Sequence, residues 1–235
     1  CIIDETHSMS QEIKNELDRY INIIAPTLPN HHVFYEDKED KSTIKNLQQM
    51  FTYDDYFKQL IEESKIQELA SSILGEKAIA KNLQYFNKPA GVGKPTPPHQ
   101  DGYYFMLKKH NAVTCWLALE KVDEENGCIH YVKGSHLHEE YRPHGRSEIL
   151  GFSQGLTDFG TENDKLNTVS FPGEAGTFLI HNAKTIHWAE GNKSQTRTRK
   201  ALGFIYYGES AEEDKEAHDA YQLKLRKELE EKNLI

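Results

Sequence analysis

The chain has 235 residues with 28 basic and 37 acidic side chains, a formal net charge of −9. Without a basic surplus it has little to neutralise phosphates, which argues against nucleic acid or an anionic membrane as a bulk partner. No apolar run approaches the ~20 residues of a membrane span. Three cysteines, Cys1, Cys115 and Cys128, are too few and too scattered for a disulfide framework or a zinc knuckle. A reducing, cytoplasmic setting is therefore the expectation. The chain begins with Cys1 rather than Met, in a β-like Cys1-Ile-Ile3, so a preceding segment is expected; no signal-peptide pattern is visible.

The first third reads as mostly helical. Ser8-Met-Ser-Gln11 fits a capping box, and Ile13, Leu17, Tyr20, Ile21 and Ile24 follow at helical spacing until Pro26 and Pro29. Residues 31–41 form a polar connection. Ile44, Leu47 and Phe51 suggest another helix. Tyr56 to Leu74 predicts a longer one, with Gly75 as its C-cap.

Near Ile79 the pattern changes to short apolar runs bounded by Gly, Pro and Asn, a strand signature. Strands are predicted over 79–86, 103–107, 113–119, 128–132, 169–171, 177–180 and 202–207. Residues 136–160 form a long polar insertion, a lid or a disordered segment, and 211–234 a charged helix. The reading is one domain over 1–235: a helical part at 1–78, a strand-rich core at 79–208 and a C-terminal helix at 211–235. Ligands at the ends of strands that converge from distant sequence suit a double-sheet jelly roll.

The chemistry concentrates in His99-Gln-Asp101, followed by His187 and then Arg199. Two imidazoles and one carboxylate hold a non-haem Fe(II) on one face and leave positions open for chemistry. An arginine fork downstream suits the far carboxylate of a keto acid that chelates the iron. The His-x-Asp pair alone is weak, since about one is expected by chance in so His- and acid-rich a chain. Its context strengthens it: Thr96-Pro-Pro-His-Gln-Asp-Gly-Tyr-Tyr-Phe105 runs from a turn into an aromatic, strand-like stretch. His181 competes with His187, and strand alternation cannot separate Arg199 from Arg197. His138-Glu139-Glu140 repeats the pattern in a charged stretch and reads as a solvated loop. His136, Arg142, His144 and Arg146 form a cationic group near the expected mouth, most simply an exposed polar loop.

Four stretches resemble the phytanoyl-CoA dioxygenase family of Fe(II)/2-oxoglutarate oxygenases. They are Asn87-Lys-Pro89 leading to His99-Gln-Asp101; Thr114-Cys-Trp-Leu-Ala118 followed by Asn126-Gly-Cys-Ile-His-Tyr-Val-Lys-Gly-Ser-His136; Gly173-Glu-Ala-Gly-Thr-Phe-Leu-Ile-His181 running to His187; and Gly191-Asn-Lys-Ser194 with Arg199-Lys-Ala201. The resemblance spans roughly residues 79–208. It implies a mainly β fold with flanking helices around a double-stranded β-helix (jelly roll, cupin-like) core. It also implies Fe(II), 2-oxoglutarate and O2, with hydroxylation of an unactivated C–H of a small-molecule substrate and release of succinate and CO2.

Residue by residue, the resemblance matches His99, Asp101 and His187 to the metal ligands and Arg199 to the anchor of the 2-oxoglutarate distal carboxylate. His187 and Arg199 are preferred to their rivals by the spacing of this match. Gln84 falls where the family often places a polar co-substrate contact. Trp116 matches a tryptophan that lines the co-substrate pocket in some members, and plain core is its competing reading. Related halogenases leave the carboxylate position small, so Asp101 points to hydroxylation or desaturation. Two other classes stay open: a cupin-like metalloenzyme that does not use 2-oxoglutarate, and a non-catalytic jelly-roll binding protein.

Overall fold

The computed structural model describes residues 2–147 and 154–232, with side chains from residue 10 onward. Helix α1 (Ile2–Arg19) opens the chain and continues through a π-type turn, Tyr20–Ile24. Ile13, Leu17 and Tyr20 share its buried face. Neither the strand expected at Cys1-Ile-Ile3 nor the helix start at Ser8 is found: Ile2 and Ile3 already belong to α1, and Cys1 lies outside the described residues. An isolated apolar triplet has no ladder to join, whereas extending a formed helix adds a bond per residue.

Strands β1 (Val33–Tyr35) and β2 (Ile44–Leu47) pair antiparallel. The helix expected around Ile44, Leu47 and Phe51 is therefore β2 and a short 3-10 turn, Met50–Thr52. All four residues of β2 are buried, Lys45 and Asn46 included, so the strand has no alternation to read. The single helix expected over 56–74 is two, α2 (Asp55–Glu62) and α3 (Lys65–Leu74). Ser64 divides them by capping α3, its hydroxyl accepting from the Ile66 N–H, and Asp54 caps α2 in the same way. Gly75, at φ +72°, closes α3 in the left-handed conformation that glycine takes without strain.

Beyond these lie β3 (Ala78–Lys88), β4 (Thr96–His99), α4 (Asp101–Phe105), β5 (Ala112–Ala118), β6 (Ile129–Val132), β7 (His144–Arg146) and β8 (Gln154–Leu156). Then follow α5 (Glu162–Asn167), β9 (Thr168–Phe171), β10 (Phe178–Asn182), β11 (His187–Ala189), β12 (Arg199–Gly208) and α6 (Lys215–Glu231). The strands form a large antiparallel sheet in the order β1-β2-β3-β12-β5-β10 and a smaller one in the order β4-β11-β6-β9, with β7 and β8 as a separate hairpin. The chain is mainly β with flanking helices. Among the described residues no helix is long and apolar enough to cross a membrane.

Alternation on the large sheet fixes everything that follows. One face, carrying Leu83, Tyr85, Cys115, Leu117, Leu202, Phe204 and Tyr206, buries itself against Ile13, Leu17, Phe57, Ile61, Ile66 and Ala70 of α1 to α3. The Tyr206 hydroxyl donates to the Ile61 carbonyl (2.8 Å), so the sheet also satisfies a carbonyl in the last turn of α2. The opposite face carries Phe86, Trp116, Ala118 and Ala201, which pack against Ile129 and Tyr131 of β6 and Val169 of β9. Side chains of this inner face look across at the smaller sheet.

Three further expectations change. Tyr103 to Leu107 is not a strand: α4 occupies Asp101–Phe105 and ends at Met106, φ +49°. Aromatic β-propensity yields here to a tertiary tie, the Gly102 N–H donating to the Ala183 carbonyl (2.9 Å). The 136–160 insertion contains the β7–β8 hairpin, with residues 148–153 outside the described set. The C-terminal helix is shorter than expected, Lys215–Glu231.

Candidate metal centre

His99 is the last residue of β4 and His187 the first of β11, and the two are partners in the antiparallel register. Their rings lie 4.1 Å apart. Asp101 opens α4 two residues after His99, so the turn that replaces the expected strand swings the carboxylate back toward both imidazoles. Its Oδ1 is 3.4 Å from His99 Nε2 and 3.6 Å from His187 Nε2. One ligand atom from each of the three residues lies within 4.8 Å of the others.

The hydrogen bonds around the triad fix which atoms face inward. His99 Nδ1 donates to the Pro97 carbonyl (2.7 Å) and His187 Nδ1 to the Thr185 carbonyl (3.0 Å). A carbonyl only accepts, so Nδ1 carries a proton in both rings and Nε2 is the atom that faces Asp101. Asp101 Oδ2 accepts from the Thr114 hydroxyl (2.6 Å) and from His181 Nε2 (3.1 Å). His181 Nδ1 in turn accepts from the Tyr131 hydroxyl (2.8 Å). One carboxylate oxygen is thus held by Thr114 and His181, while the other, Oδ1, faces the two imidazoles.

Charge follows the same logic. Burial alone would raise the Asp101 pKa, but His187, His181 and His99 outweigh it and hold the carboxyl well below the usual range. His187 is pushed well below the ordinary histidine value by burial and then by His99 and His181, with the Asp101 carboxylate opposing them.

Arg199, Gln84 and Trp116 project from the inner face of the large sheet and line the same cavity of about 880 Å³ as the triad. Arg199 is buried and its Nε has no hydrogen-bond partner. Burial pushes its pKa down to about 10. Its guanidinium carbon sits 5.7 Å from the centre of the Trp116 ring. Gln84 Oε1 accepts from Asn46 Nδ2 (3.3 Å). Lys88, the register partner of Arg199, is equally buried, but its ammonium donates to the Lys94 carbonyl (2.6 Å) and belongs to the loop. The rival Arg197 pairs with Asp123 and Glu125.

The cationic group expected at the mouth divides. Arg142 is tied to Asp158 and Asp164, and His144 stacks on Tyr103 while its Nε2 accepts from the Gln100 N–H. Arg146 lines the cavity and pairs with Glu228 of α6 at 2.7 Å. His136 is exposed, as are His138, Glu139 and Glu140.

Sequence reasoning missed Thr114, Tyr131 and the contribution of α6, whose Tyr221, Leu225 and Leu229 line the cavity. Thr114 was within reach, since it lies two residues before Trp116 and shares its face. The α6 contacts carry no local signal.

The family model described as Phytanoyl-CoA dioxygenase (PhyH) matches residues 5–201. The peroxisomal phytanoyl-CoA dioxygenase of Bos taurus is 31% identical over 135 residues, covering 54% of this chain and 39% of that protein. A probable alpha-ketoglutarate-dependent hypophosphite dioxygenase of Stutzerimonas stutzeri is 25% identical over 186 residues, covering 77% and 64% of the two chains. Among solved structures, EvdO2 from Micromonospora carbonacea var. aurantiaca, complexed with 2-oxoglutarate, superposes with a TM-score of 0.67 at 20% identity, over 88% of this chain and 84% of that one. The aligned region is about two fifths of the length of the first curated relatives. With a match running from the first helix into the last strand, this chain belongs to the phytanoyl-CoA dioxygenase (PhyH) family.

Proposed function

We propose that this chain is an Fe(II)- and 2-oxoglutarate-dependent oxygenase acting on a small molecule, that its two facing sheets are the double-stranded β-helix of that class, and that residues 1–235 serve as one oxygenase unit. The observation that carries this reading is the triad itself. The Nε2 atoms of His99 and His187 and Oδ1 of Asp101 converge, each side chain fixed from behind by a hydrogen bond, and they open on a cavity with a buried arginine. This donor set suits iron(II), and a buried guanidinium nitrogen without a partner suits a bound carboxylate.

In this reading His99, Asp101 and His187 hold the metal on one face. Arg199 takes the distal carboxylate of 2-oxoglutarate, with Trp116 and Gln84 as neighbouring walls. Iron and the keto acid together supply the oxidising power, consuming O2 and releasing succinate and CO2 as an unactivated C–H is hydroxylated. The remaining cavity, between the triad and Tyr221, Leu225 and Leu229 of α6, receives the substrate. The matched relatives bear names as different as phytanoyl-CoA and hypophosphite dioxygenase, so the substrate is assigned no more closely than a small molecule.

The test is anaerobic titration of the Fe(II)-loaded protein with 2-oxoglutarate. A saturable visible charge-transfer band is expected. No band, with iron shown to be bound, overturns the reading in favour of a cupin-like metalloenzyme that does not use the keto acid.

His181 supports the site without facing the metal position through a free atom. Replacing it with leucine removes one of the two donors on Asp101 Oδ2. Iron affinity is expected to fall by about 10–100-fold, the usual cost of losing a group that orients a ligand. Metal titration beside a melting curve checks this; unchanged affinity in a folded variant would show that Thr114 alone orients Asp101.

A further inference from the structure

A second mixed donor set lies outside the triad. Glu124, Cys128 and His130 each present one ligand atom, and these three atoms lie within 4.8 Å of one another. Local structure brings them together. The N–H groups of Gly127 and Cys128 both donate to the Asp123 carbonyl (3.0 and 2.9 Å), and Asn126 Oδ1 accepts from the Asp123 N–H (2.8 Å). The turn this closes leads directly into β6 and His130. Gly127, at φ +90°, makes the reversal, and an added Cβ there would meet the Glu190 carbonyl at 2.5 Å.

The donors are held in place. His130 stacks on Trp188, its register partner in β11, with ring centres 5.1 Å apart and planes 17° from parallel. Its Nε2 is 3.3 Å from Glu124 Oε2, while its Nδ1 is buried without a hydrogen-bond partner. Cys128 is fully buried, and the exposed side chain of Glu124 provides the way in from solvent. The oxygenase reading gives none of the three a role, although Cys128 and His130 stand in the 126–136 stretch that carries the family resemblance.

We propose that Glu124, Cys128 and His130 form a second metal site for a thiophilic divalent cation of the zinc class, with solvent completing the coordination. Thiolate, imidazole and carboxylate are all ordinary zinc donors, and three protein ligands with one open position is a recurring arrangement. The thiolate separates this site from the triad. It favours zinc-like ions over magnesium, calcium and manganese, whereas the nitrogen and oxygen donors of the triad suit iron(II). Binding forms an S–metal bond as the thiol proton leaves to solvent, with no change of oxidation state. Counting cysteines could not reveal the site, because its other two donors are a carboxylate in a turn and an imidazole in a strand.

The consequence reaches the cavity. Asn126 Nδ2 donates to the Thr198 carbonyl (3.0 Å), and Asp123 pairs with Arg197 (2.8 Å), so the same turn braces the chain immediately before Arg199. A metal on Glu124, Cys128 and His130 would tighten that brace.

Cobalt(II) tests the site, because a cobalt–thiolate bond absorbs intensely in the near ultraviolet and nitrogen or oxygen ligands do not. The metal-free full chain is titrated with cobalt(II) as wild type, Asp101→Ala, Cys128→Ser, His130→Gln and Glu124→Gln. The expected result is a saturable thiolate band that survives Asp101→Ala, disappears in Cys128→Ser and is displaced by zinc. His130→Gln and Glu124→Gln should weaken binding by at least about tenfold, the least that even an outer ligand contact costs. No band in wild type overturns the proposal. So does a band that persists in Cys128→Ser, which would assign it to Cys1 or Cys115. If Cys128→Ser fails to fold, unchanged cobalt affinity in both His130→Gln and Glu124→Gln overturns it equally.

Discussion

Asp101→Ala is expected to abolish succinate formation and to weaken iron binding by more than about 100-fold, beyond the range seen when only a supporting group is lost. The reason lies in how the carboxylate is divided. Oδ2 is saturated by Thr114 and His181, and Oδ1 alone points between the two imidazoles. Alanine removes the only negative charge among the three groups and leaves His99 and His187 as a two-nitrogen site. Asp101→Asn separates charge from shape. Thr114 and His181 present two donors to the Oδ2 position, so the amide must turn its oxygen toward them. Its NH2 then occupies the Oδ1 position, where it cannot ligate. The asparagine variant is therefore expected to be as inactive as the alanine one while melting close to wild type. Iron titration and coupled succinate assays on both variants decide the matter. Turnover retained by either would remove Asp101 from the ligand set.

Much of this arrangement was legible because it is local. The short apolar runs bounded by Gly, Pro and Asn mark β3, β5, β6, β9, β10 and β12 to within a few residues, and His99, His187 and Arg199 stand at strand ends as their spacing suggests. Alternation also works where a strand has one face on each side of a core. Leu83 and Tyr85 turn to the helices, and Gln84 and Phe86 turn inward. It fails where both faces are buried, as in β2, whose four residues give no polar beat.

What stayed hidden depends on contacts between distant residues. Tyr103 to Phe105 have the composition of a strand, yet the Gly102 tie to Ala183 curls them into α4 and carries Asp101 with them. Alternation could not choose between Arg197 and Arg199 because it assumes a continuous strand. The chain turns at Ser194–Arg197, the Arg197 N–H donating to Ser194 Oγ, and β12 begins only at Arg199. The clasp between Arg146 and Glu228 links residues far apart in sequence, and neither has a pattern that anticipates it.

Arg199→Ala separates the co-substrate from the metal. Arg199 is buried, its Nε has no partner, and burial already depresses its pKa to about 10, so it is costly to keep in place without a bound anion. The neighbouring cation cannot substitute, since the Lys88 ammonium is committed to the Lys94 carbonyl. Removing one partner of a buried charge pair costs about 2–5 kcal/mol, so the KM for 2-oxoglutarate should rise by roughly thirtyfold or more. Arg199→Lys should recover only part of this, because an ammonium offers a point charge where the guanidinium offers a fork. Iron affinity is expected to be unchanged in both variants, which distinguishes loss of the anchor from collapse of the site. Anaerobic titration with 2-oxoglutarate reads the effect directly, as a charge-transfer band of ordinary intensity that saturates only at much higher keto acid. A midpoint in Arg199→Ala equal to wild type would mean that another group holds the distal carboxylate. Gln84, on the same wall of the cavity, would then be the next side chain to replace.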